Sequence, residues 1–262
     1  NADTGKLVWA FQATPHDTHD WDAVETPVLV DGDFNGKPRK MLMQASRNGY
    51  FFVLDRTNGK NLLTVPFGPV NWSLGLDKKG QPIPNPEKDP APDGRLIAPE
   101  ESGLTNWRAP SFDPETGLFL ASSHPSYSLY FAKPADGDYG WAGADYGVWG
   151  NGVLKAIDYK TGKVRWTHEV GRTSGSGAGV LTTASGVTFT GDTYGNILAL
   201  NTSDGKTLWH AGAGSSVSNS PMTYMLDGRQ YVVMGSGGVL FVWALPKFAS
   251  ATKRSTAHAN KN

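Results

Sequence analysis

The sequence repeats itself, and the repeat limits what the chain can fold into. Gly49-Tyr50-Phe51-Phe52-Val53-Leu54-Asp55 leads to Thr57-Asn58-Gly59-Lys60. Gly152-Val153-Leu154-Lys155-Ala156-Ile157-Asp158 leads to Thr161-Gly162-Lys163 and Trp166, and Gly195-Asn196-Ile197-Leu198-Ala199-Leu200-Asn201 leads to Asp204-Gly205-Lys206 and Trp209. Asp3-Thr4-Gly5-Lys6-Leu7-Val8-Trp9 is the tail of another copy. Asp113 to Phe119 is a degenerate copy, and Gly238 to Leu245 keeps only the strand. In the three fullest copies an apolar run makes a strand, and an x-Gly pair supplies positive φ for a tight turn. Lys then starts the return strand and Trp closes it. The turn glycines Gly5, Gly59, Gly117, Gly162 and Gly205 recur every 43 to 58 residues. Such periods, with four strands to a unit, mark propeller blades. One blade reads out in full as Val180–Thr183, Val187–Gly191, Ile197–Asn201 and Lys206–His210. The expectation is an all-β fold of four-stranded antiparallel blades, with turns at Asn58-Gly59, Thr161-Gly162 and Asp204-Gly205 and little helix.

Residues 1–246 are assigned to a partial propeller and 247–262 to a polar, disordered tail. Because the chain opens inside a repeat copy, it reads as a piece whose preceding part lies upstream. Pro66 to Pro99 reads as a surface excursion. His124 to Gly150 carries Tyr127, Tyr130, Phe131, Tyr139, Trp141, Tyr146 and Trp149 and reads as a loop packed on sheet edges. Lys plus Arg and Asp plus Glu both number 24, so there is no basic footprint for a nucleic acid. Cysteine is absent, which excludes disulfides and thiolate metal sites. No apolar run reaches membrane-spanning length.

Polar chemistry is densest at Thr14-Pro15-His16-Asp17-Thr18-His19-Asp20-Trp21-Asp22-Ala23-Val24-Glu25. The residue before a proline is driven to extended geometry, so this stretch is a loop between strands, where functional groups are commonly presented. Asp20 and Asp22 alternate around Trp21. On an extended backbone they face one way, and two such carboxylates repel unless a cation or a shared proton lies between them. Hard oxygen donors suit a calcium-like ion. Asp, Thr and His after proline are also ordinary turn residues.

Ala156-Ile157-Asp158, Thr161-Gly162-Lys163 and Trp166 resemble the tryptophan-docking motif of the quinoprotein alcohol dehydrogenases. Those are eight-bladed propellers that bind pyrroloquinoline quinone (PQQ) on the axis. Thr14-Pro15-His16-Asp17 with Asp20-Trp21-Asp22 is similar to that family's active-site loop. Ser46-Arg47-Asn48-Gly49 is similar to the segment supplying its cofactor arginine, and Thr105-Asn106-Trp107 to its asparagine–tryptophan pair. The matches run in the family's order from Asn1 to about Pro246.

The resemblance implies oxidation of a primary alcohol to an aldehyde with PQQ and Ca2+ or a lanthanide ion. Asp20 would be the catalytic base and a metal ligand. Asp22 stands where lanthanide-using members carry an extra aspartate, so a lanthanide preference is expected. Arg47 would hydrogen-bond the quinone, Asn106 and Trp107 would contact it, and Gly238 and Val239 would close its far side. The implied partners are a small alcohol and either a cytochrome c or a membrane quinone as electron acceptor. The implied location is the periplasm, and a homodimer is one assembly open to such a protein. The family's paired cysteines, stacking tryptophan and further Glu and Asn ligands would lie upstream of residue 1. No Cys-x-x-Cys-His signals a haem domain. His16 is expected to be a structural hydrogen-bonding residue of the loop, and His19 has no assigned role. Two rivals stand beside this reading: a cofactor-free propeller scaffold of the outer-membrane assembly type, and a metal-dependent hydrolase built on His16, His19, Asp20 and Asp22.

Overall fold

The structure is a computed structural model that describes residues 1–132, 144–171 and 177–246. Tyr139, Trp141 and the tail 247–262 fall outside them. The first blade is β1 (Val28–Phe34), β2 (Lys37–Ala45), β3 (Tyr50–Asp55) and β4 (Lys60–Pro66), antiparallel in that order. A short hairpin follows, β5 (Ser73–Leu76) and β6 (Pro82–Pro84), then a single 3-10 turn at Pro86–Lys88 and strand β7 (Arg95–Ile97). Next come β8 (Ser111–Asp113), β9 (Leu118–Ser123), β10 (Ser126–Phe131), β11 (Ala144–Gly150), β12 (Gly152–Asp158) and β13 (Val164–Gly171). The second blade has the order β13-β12-β9-β8, so β10 and β11 interrupt it between its second and third strands. The third blade is β14 (Leu181–Thr182), β15 (Val187–Gly191), β16 (Asn196–Asn201) and β17 (Thr207–Gly212), and the last sheet is β18 (Met222–Leu226), β19 (Arg229–Ser236) and β20 (Val239–Trp243). The three four-stranded antiparallel sheets match the expected blades, the last sheet has three strands among the described residues, and the strands read from residues 180–210 are the observed ones to within a residue or two.

The turns explain the repeat. Gly59, Gly117, Gly162 and Gly205 have φ of 73°, 67°, 68° and 73°, the left-handed region that glycine enters without strain. The Asp or Asn four residues earlier caps each turn. Asp55 accepts from Thr57, Asp113 from Thr116, Asp158 from the N–H groups of Lys160 and Thr161, and Asn201 from Ser203. Each of these residues also accepts the glycine N–H on its backbone carbonyl, at 2.7–2.9 Å. Tryptophans then tie blade to blade. Trp166 lies over Gly205, where a Cβ would meet the ring at 2.5 Å, and its indole N–H donates to Thr202 O at 3.0 Å. Trp9 repeats this on Gly59, donating to Arg56 O at 3.0 Å. Trp166→Ala is expected to lower the unfolding free energy by about 2–3 kcal/mol, since a half-buried aromatic and its hydrogen bond are lost. Urea unfolding checks it, and an unchanged midpoint would show that docking does not stabilise the blades.

Cores lie between successive sheets. Phe34, Met41, Phe51, Phe119 and Ile157 fill the space between the first and second blades, and Leu120, Leu154, Leu198 and Leu200 that between the second and third. Strands β3 and β9 are buried at every position because both their faces are covered. The two excursions are not separate surface loops: β7 pairs with β10, and β10 with β11. The sheet so formed packs Ile97 and Tyr130 against Trp21, Tyr50, Phe52 and Trp72. It thus braces the acidic loop from behind.

Candidate active site

The site is assembled at one end of the first blade. Arg47 lies in the turn between β2 and β3, and Asn48 beside it clamps the loop of residues 13–22. Its side-chain amide donates to Ala13 O and Thr14 Oγ1 at 2.9 and 3.0 Å, and its Oδ1 accepts from Tyr50 N at 3.0 Å. Thr14 Oγ1 donates to Trp21 O at 3.1 Å. Trp21 is fully buried, with its indole N–H on Glu100 O at 3.0 Å. His19 stacks on Trp21, with ring centroids 4.4 Å apart. The loop hydrogen bonds expected of His16 are made by Asp17 instead, which accepts from the N–H groups of His19 and Trp21 at 2.9 and 2.6 Å. His16 is exposed with a φ of 47° and makes no side-chain hydrogen bond among the described residues.

With Trp21 driven inward, its two neighbours are turned out toward Arg47. Arg47 Nη2 lies 3.6 Å from Asp20 Oδ2, and Nη1 lies 3.4 Å from Asp22 Oδ1. Nη2 also donates to Glu101 O at 2.7 Å. The same-side placement of the two carboxylates is therefore met, but not on an extended backbone: Asp20 has a φ of 69°. Burial raises the Asp20 carboxyl to about 6, with the hydrogen bond and charge of Asp22 adding to it and Arg47 opposing it. Behind Arg47 sits Glu25, which is buried; burial raises its carboxyl to about 8, against the opposing pull of Arg47.

The segment 100–107 closes over Arg47. Leu104 N donates to Arg47 O at 2.9 Å, and a Cβ at Gly103 (φ 83°) would meet the Arg47 backbone at 2.7 Å. Only glycine fits there. His124 N donates to Leu104 O at 2.7 Å, so this segment also joins the end of β9 to the first blade. Asn106 donates to Ser102 O at 2.8 Å and accepts from Trp107 N at 2.8 Å. Trp107 is 62% exposed, and the Arg108 guanidinium lies 3.8 Å from its ring centre. Asn106 and Trp107 thus follow directly on the residues that cover Arg47. Gly238 and Val239 are exposed at the turn from β19 to β20, and no described contact joins them to Arg47 or Asp20.

Among the described residues there is no group of three or more His, Cys, Asp or Glu that could hold a metal ion. The hydrolase reading loses its second histidine. His19 does not turn toward the aspartates; its ring nitrogens lie on Lys88 O at 2.9 Å and Thr18 Oγ1 at 3.1 Å.

Residues 1–91 match the family model described as "PQQ: Glucose/ethanol/alcohol dehydrogenase, beta-propeller domain", and residues 150–245 match that of outer membrane protein assembly factor BamB. The first match contains Asp20, Asp22 and Arg47; the second covers the repeat alone. A 1-butanol dehydrogenase (cytochrome c) of Thauera butanivorans is 37% identical over 97% of this chain and 38% of its own length. A quinohemoprotein alcohol dehydrogenase of Comamonas testosteroni is 38% identical over 90% of this chain and 36% of its own length. The solved structure of a quinohemoprotein alcohol dehydrogenase from Comamonas testosteroni superposes with a TM-score of 0.81 at 36% identity, over 90% of this chain and 38% of that one. This chain belongs to the PQQ-dependent alcohol dehydrogenase propeller family. A europium-containing methanol dehydrogenase superposes with a TM-score of 0.79 at 29% identity, over 90% of this chain and 43% of that one. The quinoprotein propeller segment seen here spans about two fifths of the length of the relatives it matches.

Proposed function

We propose that this segment forms the acid–arginine wall of an enzyme that oxidises a primary alcohol to an aldehyde with PQQ and a metal ion. The observation that carries it is the meeting of Asp20 and Asp22 on Arg47, three residues drawn from two segments and held in place by Asn48, Trp21 and Glu101. The donor chemistry fits a hard cation. Asp20 and Asp22 crowd closely enough to share a hydrogen bond, and crowded carboxylates are relieved by an ion between them. Asp20 and Asp22 would be this chain's ligands to Ca2+ or a lanthanide ion. The exposed face of Trp107 beside Asn106 fits a flat ring system. Gly238 and Val239 have no comparable support.

PQQ, when bound, supplies the two-electron oxidising power. The chain's own residues do the rest. Asp20 accepts the proton of the alcohol hydroxyl as general base. Arg47, fixed by Glu101 O, presents a permanent positive charge where negative charge develops. The name of one relative, a 1-butanol dehydrogenase (cytochrome c), supports a cytochrome c as electron acceptor, while a membrane quinone and a periplasmic location rest on the family resemblance. A propeller scaffold of the outer-membrane assembly type is favoured only by the match over residues 150–245, which leaves the acid–arginine cluster without a use. Reconstitution of the complete enzyme with PQQ is expected to give a visible quinone band and alcohol-dependent dye reduction. Neither appearing with calcium or with lanthanum would overturn the reading.

The second carboxylate sets the ion. Coulomb attraction scales with ion charge, so two adjacent carboxylates favour a trivalent ion over a divalent one. Asp22→Ala is expected to shift preference toward calcium by roughly tenfold or more, the equivalent of about 1.4 kcal/mol or more. Dye reduction with each ion measures it. Equal wild-type activity with calcium and lanthanum, unchanged by Asp22→Ala, would leave Asp22 as a turn residue.

A further inference from the structure

A buried cluster behind Arg47 is not used by that chemistry. Glu25 lies just before β1 and is 4% exposed. Its backbone carbonyl accepts from Gln44 Nε2 at 2.7 Å, which ties it to β2. Its carboxyl faces the Ser46 hydroxyl, the backbone N–H of Arg47 and the guanidinium charge. Even so, among the described residues neither Glu25 oxygen closes a hydrogen bond, and Ser46 Oγ and Arg47 Nε are buried without a partner as well. The four atoms are complementary in kind: two carboxyl acceptors against a hydroxyl donor and a guanidinium N–H donor. Buried polar groups left apart are costly, so a small closure is favoured over the open arrangement. The other two nitrogens of Arg47 have their partners in other residues, Nη1 in Asp22 and Nη2 in Asp20 and Glu101 O.

We propose that Glu25 is a positioning residue for Arg47: its carboxyl, together with the Ser46 hydroxyl, closes on the Nε edge of the guanidinium and holds the Nη groups aimed at Asp20 and Asp22. A guanidinium carries its donors in a rigid planar fork. Gripping Nε from one side therefore sets the plane in which both Nη groups point. The grip matters most when Asp20 and Asp22 turn to a cation. Arg47 then loses its front partners, and Glu25, Ser46 and Glu101 O remain to keep it in place. The inference rests on the proposed function for the use of Arg47, but not for the contact itself.

The test is the nitrogen–proton NMR signal of the Arg47 Nε–H, assigned with Arg47→Lys and compared with that of the exposed Arg165. The wild-type Arg47 signal is expected to exchange with solvent at least about tenfold more slowly than that of Arg165. Glu25→Gln, whose amide oxygen still accepts, should keep exchange slow while moving the Arg47 nitrogen resonance and leaving those of Arg39 and Arg56 in place. Glu25→Leu, which fills the space without an acceptor, should bring exchange close to that of Arg165. A wild-type signal that exchanges as fast as Arg165, or an Arg47 resonance unmoved by Glu25→Gln, overturns the proposal even if Glu25→Leu fails to fold. So does slow exchange retained in a folded Glu25→Leu. In the complete enzyme with PQQ, Glu25→Leu should lower kcat about tenfold with KM little changed, because misorientation is felt in the transition state. If the wild-type enzyme turns over no alcohol, the functional reading fails while the NMR result still decides the role of Glu25.

Discussion

Asp20→Ala in the complete enzyme, reconstituted with PQQ and either ion, is expected to lose at least about a thousandfold in kcat. A positioned general base is worth roughly a hundred- to ten-thousandfold, and in the proposed function this residue is also one of the two carboxylates offered to a cation. Asp20→Asn separates the two parts. It keeps the shape and one oxygen donor but cannot take a proton, so ion binding should survive better than turnover. Arg47 is the control for electrostatics. Its charge is held 3.6 Å from Asp20 and 3.4 Å from Asp22, so Arg47→Gln should release the two carboxylates to repel each other. Activity falling less than tenfold in Asp20→Ala would remove Asp20 from the reaction and leave the cluster as an ion pair that shapes the loop.

How much of the molecule is legible in the sequence follows the range of the interactions. The turn glycines are legible because positive φ is a local demand. Gly59, Gly162 and Gly205 carry it in the structure, and the Asp or Asn four residues earlier caps each turn. The grouping of Asp20, Asp22 and Arg47 is legible only through family resemblance. Asp22 and Arg47 are 25 positions apart with no local signal that they meet, and the meeting depends on Asn48 reaching back to Ala13 and Thr14. The pairing of β7 with β10 is not legible at all. Strand pairing across excursions is decided by what the rest of the fold leaves uncovered, here the loop around Trp21 and His19. Glu25 is hidden for a related reason. In sequence it is one more acid in a polar loop, and nothing near it says that Gln44 and Arg47 will bury it. His16 misleads because a histidine and an aspartate side by side are equally good loop acceptors on paper. The backbone gives both N–H groups to Asp17 and leaves His16 at positive φ.

Glu25 also makes a prediction about stability that needs neither cofactor nor metal. Its carboxyl is raised from 4.5 to about 8, first by burial, with Arg47 and the neighbouring donors opposing. Between those values the folded chain keeps a proton that the unfolded chain has released. Stability tied to this group is therefore fully present below pH 4.5 and is lost as pH rises toward 8. At about 1.4 kcal/mol for each pH unit crossed, the loss is of the order of 3–5 kcal/mol across the window. Glu25→Gln keeps the shape and carries no titrating proton. It should match wild type near pH 4.5 and exceed it by several kcal/mol at pH 8, with the sign of the difference set by this group alone. Two buried imidazoles work in the other direction. Burial lowers His19 and His124 below their usual value, so the fold gains stability as pH rises toward 6.5. Lys155, lowered by burial to about 8, adds a similar gain above that pH. These contributions are common to both proteins and cancel in the difference between them. Urea unfolding of wild type and Glu25→Gln at half-unit steps from pH 5 to 8 gives that difference directly. Parallel curves would mean that Glu25 is ionised throughout in the folded chain, whereas curves that diverge with rising pH would mean that its carboxyl meets Arg47 as a protonated acid, accepting through its carbonyl oxygen.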